Sequence, residues 1–220
     1  MKNFFVNALP DAPIQNIIFD LGGVIMKLDM GLTVTAFNKL GVKDIVLTHN
    51  TTELKALFQE YEVGKISSSD FRKKVCANSE INLTDEQFDE AWNAMLVEIP
   101  EERIDFLANM GAHFRTFILS NTNEIHLKHV NEYLEESFGI EDFSALFEDQ
   151  YYSHLLKMRK PDVKIFAAVC TESDLNPEET LFIDDVEANV KAACEAGMFG
   201  LHLVAPVTIE EVLTQLIEKD

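Results

Sequence analysis

Four short apolar runs constrain this chain more than anything else in it: Ile17-Ile18-Phe19, Phe114 to Leu119, Leu181-Phe182-Ile183 and Gly200 to Val204. A run without strict apolar and polar alternation is buried on both faces, which is how strands of a parallel sheet read. From about Phe114 onward such runs alternate with amphipathic helices, as βαβ units require. Pro100 before Glu101 opens one helix, which Gly111 is expected to stop. Pro161 opens another, Gly197 closes one, and Thr208 with Glu211 forms a capping box.

The stretch from about Leu32 to Val97 has a different character, with no strand expected and several helices. One ends at Asn38-Lys39-Leu40-Gly41, one runs from Thr52 to near Gly64, one is capped by Ser68, and one is boxed by Thr84 and Gln87. Helices gathered between the first and second strands predict an inserted helical subdomain. Phe88, Trp92 and Met95 recur at roughly helical spacing and are read as its core. At 220 residues the chain can hold one sizeable core carrying such an insertion.

Composition narrows the partners. A net charge of −20, from 38 acids against 18 bases, disfavours nucleic acid and anionic membrane surfaces. No apolar run approaches the roughly 20 residues of a spanning helix. Met1 to Pro13 lacks the basic start and apolar centre of a signal peptide, so a cytoplasmic protein is expected. Cys76, Cys170 and Cys194 show no CxxC spacing and are read as small core residues. An anionic substrate would need a local remedy, a bound cation or a well-placed lysine.

Candidates for both fall where a parallel sheet would collect them, at or just past predicted strand ends. They are Asp20, then Ser120-Asn121, then Arg159-Lys160-Pro161, then Asp184-Asp185. Gly22 and Gly23 after Asp20 allow a sharp turn and a close approach to a ligand. Taken singly, each motif has a plainer explanation: a serine after a strand caps a helix, a lysine before proline is solvated, and Asp-Asp starts a turn. Taken together they supply a carboxylate nucleophile, a hydroxyl and an N–H for phosphoryl oxygens, a cation, and further carboxylate to share Mg²⁺. Facing carboxylates repel unless a cation bridges them. The histidines, including His126, His129 and His154, are read as surface or core residues.

In order and spacing the chain resembles the haloacid dehalogenase superfamily of aspartate-nucleophile hydrolases. The segments Phe19 to Ile25, Leu119 to Asn123, Met158 to Pro161 and Phe182 to Asp185 are most similar to its α-D-glucose-1-phosphate phosphatase group. The resemblance implies an α/β fold: a Rossmann-like parallel-sheet core over residues 14–30 and 98–220, with a helical cap over 31–97 inserted after the first strand. It implies that Asp20 attacks phosphorus, that Ser120 and the Asn121 N–H grip phosphoryl oxygens, and that Lys160 neutralises charge. Asp20, the Gly22 carbonyl and Asp185 would hold Mg²⁺, with Asp184 and Asn189 orienting ligands from behind. The implied activity is a Mg²⁺-dependent phosphatase of a small phosphorylated metabolite, a sugar phosphate being favoured.

One position departs from many phosphatases of this superfamily, which carry a second aspartate two residues after the nucleophile as general acid and base. Here it is Gly22, as in the glucose-1-phosphate phosphatase group, and glycine transfers no proton. A general acid or base is typically worth about 10² to 10⁴ in rate. Asp29 and Glu62 are possible substitutes, as are a bound water and a good leaving group. A 2-haloacid dehalogenase, which needs no metal, and a phosphate-binding regulatory protein with weakened catalysis are the rival activities. Asp184-Asp185 argues against the first, and retention of Asp20, Ser120, Lys160 and Asp185 against the second.

Overall fold

The computed structural model describes residues 3–42, 52–77 and 81–217. The first half contains β1 (Phe4–Val6), β2 (Asn16–Phe19), β3 (Lys27–Leu28), α1 (Met30–Lys39), α2 (Thr52–Glu62), α3 (Ser68–Cys76), α4 (Asp85–Asn93), β4 (Leu96–Glu98) and α5 (Glu101–His113). The second contains β5 (Arg115–Ser120), α6 (Glu124–Phe138), β6 (Asp149–Tyr152), α7 (Ser153–Leu156), α8 (Val163–Glu172), β7 (Thr180–Asp184), α9 (Glu187–Glu195), β8 (Phe199–His202) and α10 (Ile209–Ile217).

Six strands form one parallel sheet in the order β1-β8-β7-β2-β5-β6. Central β2 places Ile18 level with Phe117 on one side and Phe182 on the other. Its side chains alternate between two helical layers. Ile17 and Phe19 pack with Leu107, Met110, Val130, Leu134 and Leu213 from α5, α6 and α10. Ile18 packs with Ile165, Phe166, Val169 and Ala193 from α8 and α9. Each such side chain contributes roughly 1.5 to 3 kcal/mol on burial, and a one-residue slip would exchange the two faces. The chain therefore folds as the α/β, Rossmann-like parallel sheet that its apolar runs predict.

The two strands of this sheet absent from the sequence reading are its edge strands. β1 pairs only with β8 and β6 only with β5. β6 reads Asp149-Gln150-Tyr151-Tyr152, and only its two tyrosines are buried, so it carries no apolar run. Helix α5 continues through Gly111 to His113 instead of stopping there. A Cβ on Gly111 would lie 3.4 Å from the Leu146 carbonyl oxygen, an ordinary contact, and the glycine does not end the helix. Ser67, not Ser68, caps α3, its hydroxyl accepting from Asp70 N at 3.1 Å. The Ser68 hydroxyl is turned instead to Tyr61 and Glu124.

Helices α1 to α4 enclose a core of their own, in which Phe37, Phe58, Tyr61, Phe71, Phe88 and Trp92 are buried together. Met95 is buried as well. Tyr61 stacks on Phe71 with centroids 4.0 Å apart. The Thr33 hydroxyl ties α1 to α4, donating to Trp92 O at 3.1 Å and accepting from Met95 N at 3.0 Å. Residues 43–51 and 78–80 of this stretch lie outside the described residues. Antiparallel β3 and β4 join the layer to the sheet, pairing Lys27 with Glu98 and Leu28 with Leu96. β4 thus begins inside a stretch where no strand is expected, because three half-exposed residues are too few to show a period. Cys76, Cys170 and Cys194 are free thiols. No helix among the described residues is long and apolar enough to cross a membrane.

Candidate active site

Asp20 follows β2, Ser120 ends β5, and Asp184 ends β7, so the parallel sheet brings three sequence motifs to one edge. The Asp20 N–H still donates to Ile183 O at 2.9 Å, which carries the sheet pairing one residue beyond the strand. The chain then turns over residues 21–26, with Leu21 O accepting from both Ile25 N and Met26 N at 2.9 and 2.8 Å. Gly23 has φ of +79° in this turn, and a Cβ there would collide with the Asp185 carboxylate. Gly23 therefore meets both demands expected of the glycine pair. Gly22 does not adopt a positive φ.

Lys160 arrives from the loop between α7 and α8 and is fully buried. Its Nζ lies 2.9 Å from Asp20 Oδ1 and 2.6 Å from Asp184 Oδ2, and 5.2 Å from the centroid of the Phe182 ring. Burial opposes its charge, but the two carboxylates outweigh that and hold the ammonium above its ordinary pKa. Asn121 fixes the lysine backbone from both sides, donating from Nδ2 to Lys160 O and accepting at Oδ1 from Lys160 N, each at 2.9 Å. The Asn121 side chain is thus a brace for Lys160, a role its place in the sequence does not announce.

Asp184 is saturated. It accepts from Lys160 Nζ, from Asn189 Nδ2 at both oxygens, and from Val186 N at 2.7 Å. Asp20 is only half occupied: Oδ1 accepts from Lys160 and from Leu21 N at 2.7 Å, and no donor among the described residues engages Oδ2. Burial raises the Asp20 pKa to about 7, with Asp184 adding to the rise and Lys160 opposing it. Burial and neighbouring Asp184 raise that of Asp185 also.

Carboxylate oxygens of Asp20, Asp184 and Asp185 lie within 4.8 Å of one another. Three carboxylates around one ammonium leave a negative excess that a divalent cation offsets, and hard oxygen donors are what Mg²⁺ takes. The donor set fits. Because Asp184 already holds three partners, Asp20 and Asp185 are the carboxylates with room for a metal.

The two carboxylates considered as substitutes for Gly22 are engaged elsewhere. Asp29 caps α1 through Gly31 N at 2.8 Å, and Glu62 lies 2.9 Å from Arg159 Nε. Arg103, which the sequence gives no reason to single out, reaches the turn after Asp20 from α5. Its Nη1 donates to Val24 O and Ile25 O at 2.9 and 3.0 Å, while Nε and Nη2 grip Glu210 of α10.

Comparisons with known proteins agree with this architecture. The family model of haloacid dehalogenase-like hydrolases matches residues 14–197. D-ribitol-5-phosphate phosphatase of Bacteroides thetaiotaomicron is 32% identical over 186 residues, covering 84% of this chain and 89% of that protein. A haloacid dehalogenase family enzyme of the same organism, solved in complex with magnesium and inorganic phosphate, is 34% identical with a TM-score of 0.83, covering 89% of this chain and 97% of the other. A structure of a predicted hydrolase of this family from Porphyromonas gingivalis is 31% identical with a TM-score of 0.85, covering 95% and 100%. The chain belongs to the haloacid dehalogenase-like hydrolases, on the phosphoric monoester hydrolase side of that family.

Proposed function

We propose that this chain is a Mg²⁺-dependent phosphatase of a small phosphorylated sugar or polyol that works through an aspartyl-phosphate on Asp20. The observation that carries the proposal is Asp20 itself, a buried carboxylate with Oδ1 pinned by Lys160 and Leu21 N and Oδ2 left without a donor. An Asp20 oxygen forms a bond to phosphorus as the bond to the leaving oxygen breaks. Water then cleaves the acyl phosphate, returning the carboxylate and releasing phosphate. Ser120 and the Asn121 N–H hold phosphoryl oxygens, and Lys160 neutralises charge on both nucleophile and phosphoryl group. Asp20, the Gly22 carbonyl and Asp185 would hold Mg²⁺, which when bound offsets charge on the phosphoryl group. Asp184 and Asn189 orient ligands from behind, with Asp184 accepting from Lys160 Nζ, Val186 N and Asn189 Nδ2.

Residues 14–30 and 98–220 act as the catalytic core in this proposal, and residues 31–97 as a cap that selects the substrate. The paired β3 and β4 crossings, with Asp29 N bonded to Met95 O at 2.9 Å, support that division. The ribitol 5-phosphate activity of a relative covering most of both chains supports a polyol or sugar phosphate.

The test is phosphate release from a panel of sugar and polyol phosphates with Mg²⁺, comparing wild type with Asp20→Asn. Loss on the order of 10⁴-fold or more is expected of the variant. Release that survives the substitution overturns the nucleophile. Turnover of 2-haloacids that resists chelation, with phosphate esters untouched, makes the chain a dehalogenase. A wild type that binds phosphate esters and releases nothing makes it a binding protein.

A further inference from the structure

Glu62, the last residue of α2, touches both loops that the phosphatase proposal gives to the phosphoryl group. Its carboxylate meets Arg159 Nε at 2.9 Å, and Arg159 stands directly before Lys160. Its carbonyl accepts from Ser153 Oγ at 2.6 Å, and the same hydroxyl oxygen accepts from Thr122 N at 3.0 Å, two residues past Ser120. Ser153 is fully buried at the start of α7, so its hydroxyl joins the two segments away from solvent.

These contacts close into a ring. From Glu62 it runs through Arg159 to Lys160, and from the Lys160 backbone to the Asn121 side chain, which takes both groups at 2.9 Å. It then follows the chain to Thr122 and returns through Ser153 to Glu62. Within the ring Glu62 alone comes from the helical layer. Asn121, Thr122 and Arg159 lie outside strand and helix, so side-chain contacts of this kind are what hold their loops.

Backbone as well as side chains seat the end of α2 at this place. Gly64 has φ of +60°, and a Cβ on it would lie 2.4 Å from His154 O, so the turn after Glu62 runs hard against α7. Lys157 Nζ donates to Gly64 O at 3.0 Å, and Tyr61 OH accepts from Ile125 N at 3.4 Å. The Glu62 and Arg159 side chains are 31% and 32% exposed, and ion pairs so placed add little to stability. The effect of this pair is expected in the site instead.

We infer that Glu62 is a positioning residue, which by holding Arg159 and Ser153 keeps the Lys160 and Asn121 loops at the spacing a phosphoryl group needs, an inference that rests on the phosphoryl site of the phosphatase proposal. In this role Glu62 touches no reacting atom and passes no proton. It acts through Arg159 on one loop and through Ser153 on the other. A misplacement of about 1 Å in groups that hold a substrate can cost about 10² in rate.

Binding of inorganic phosphate in the presence of Mg²⁺, measured by calorimetry, tests this. Inorganic phosphate has no leaving group, so its affinity is blind to a proton donor for the leaving oxygen and to contacts between the helical layer and the rest of an ester. Glu62→Gln keeps the size of the side chain and removes its charge. By charge alone, losing a carboxylate near the site would tighten phosphate binding. Positioning predicts the opposite: a Kd raised about tenfold, with kcat/KM on sugar and polyol phosphates lowered by a similar factor. A rise in Kd of threefold or more bears the inference out, and a smaller rise, no change or tighter binding overturns it. In an Arg159→Gln background the same substitution should no longer weaken phosphate binding, because the partner it acts through is gone, and a weakening that persists there also overturns the inference. A wild type that binds phosphate and hydrolyses no ester removes the phosphatase and leaves the positioning role standing on the Kd. A wild type that binds no phosphate removes both.

Discussion

The sheet edge and the helical layer handle buried polar groups in opposite ways. At the edge, Lys160 touches two carboxylates, Asp184 accepts from a lysine, an amide and a backbone N–H, and Asn121 takes both backbone groups of Lys160. In the helical layer Phe58, Phe71, Phe88 and Trp92 pack ring against ring, and the indole N–H is left over. That network holds Lys160 and Asp20 Oδ1 still and leaves Asp20 Oδ2 without a donor among the described residues. The stacked rings cohere through buried area and ring contact, with the Trp92 N–H their one unpaired donor among the described residues.

The comparison can be broken hardest at Lys160. Lys160→Met leaves Asp20 and Asp184 facing each other without their shared cation, at a cost of about 3 to 5 kcal/mol in stability. Turnover should fall by about 10² to 10³ as well. Denaturant unfolding and phosphate-release kinetics read the two losses. Adding Asp20→Asn to the variant should restore part of the stability by removing one of the opposed carboxylates, and purely additive losses would mean the three groups do not act as a unit.

Phe71→Ala attacks the other region. Phe71 is fully buried and touches Phe58, Tyr61, Phe88 and Trp92, so its removal should cost about 3 to 5 kcal/mol. Hydrogen exchange should show protection lost in α2 to α4 and kept in β2 and β5. Protection lost evenly through the chain would make the two regions one cooperative unit.

The smallest effect is expected where the regions meet, at Gly22. A Cβ there would lie 2.7 Å from Leu28 Cδ1, the mobile end of a side chain that is 38% exposed. Gly22→Asp should therefore be accommodated, and should raise turnover of alkyl phosphates with poor leaving groups by about tenfold, short of the roughly 10² to 10⁴ that a fully positioned general acid supplies. Steady-state rates on alkyl phosphates measure this, and an unchanged rate with intact Mg²⁺ binding would mean that proton transfer at this position does not limit turnover.

The sequence made the edge legible because its contributors are short and local. An apolar run ending on Asp20, or on Ser120, or on Asp184, states both the strand and the residue at its tip. The partners of those residues are set by packing between distant segments and leave no local mark. Asn121 bracing Lys160, Arg103 spanning α5, the Asp20 turn and α10, and Trp92 meeting His126 all belong to this second kind. Trp92 and Phe88 are the core residues that their spacing predicts, but periodicity says which face is buried and nothing about an N–H left unpaired within it. The edge strands fail for a different reason. β6 has polar residues and one neighbour, and β1 is three residues long, so neither needs the apolar run that marks a central strand.

Arg103 gives the far end of the fold a hold on the chemistry. Its guanidinium carries the Val24 and Ile25 carbonyls on one side and the Glu210 carboxylate on the other, so the turn that follows Asp20 rests on α10 as a beam rests on a strut. Whatever displaces that helix, whether a fused segment, a neighbouring protein or a substitution at Glu210, slackens a loop that it never touches. Control of such a site therefore need not come through its mouth; it can be exerted from the opposite flank, by the tension on one buried arginine.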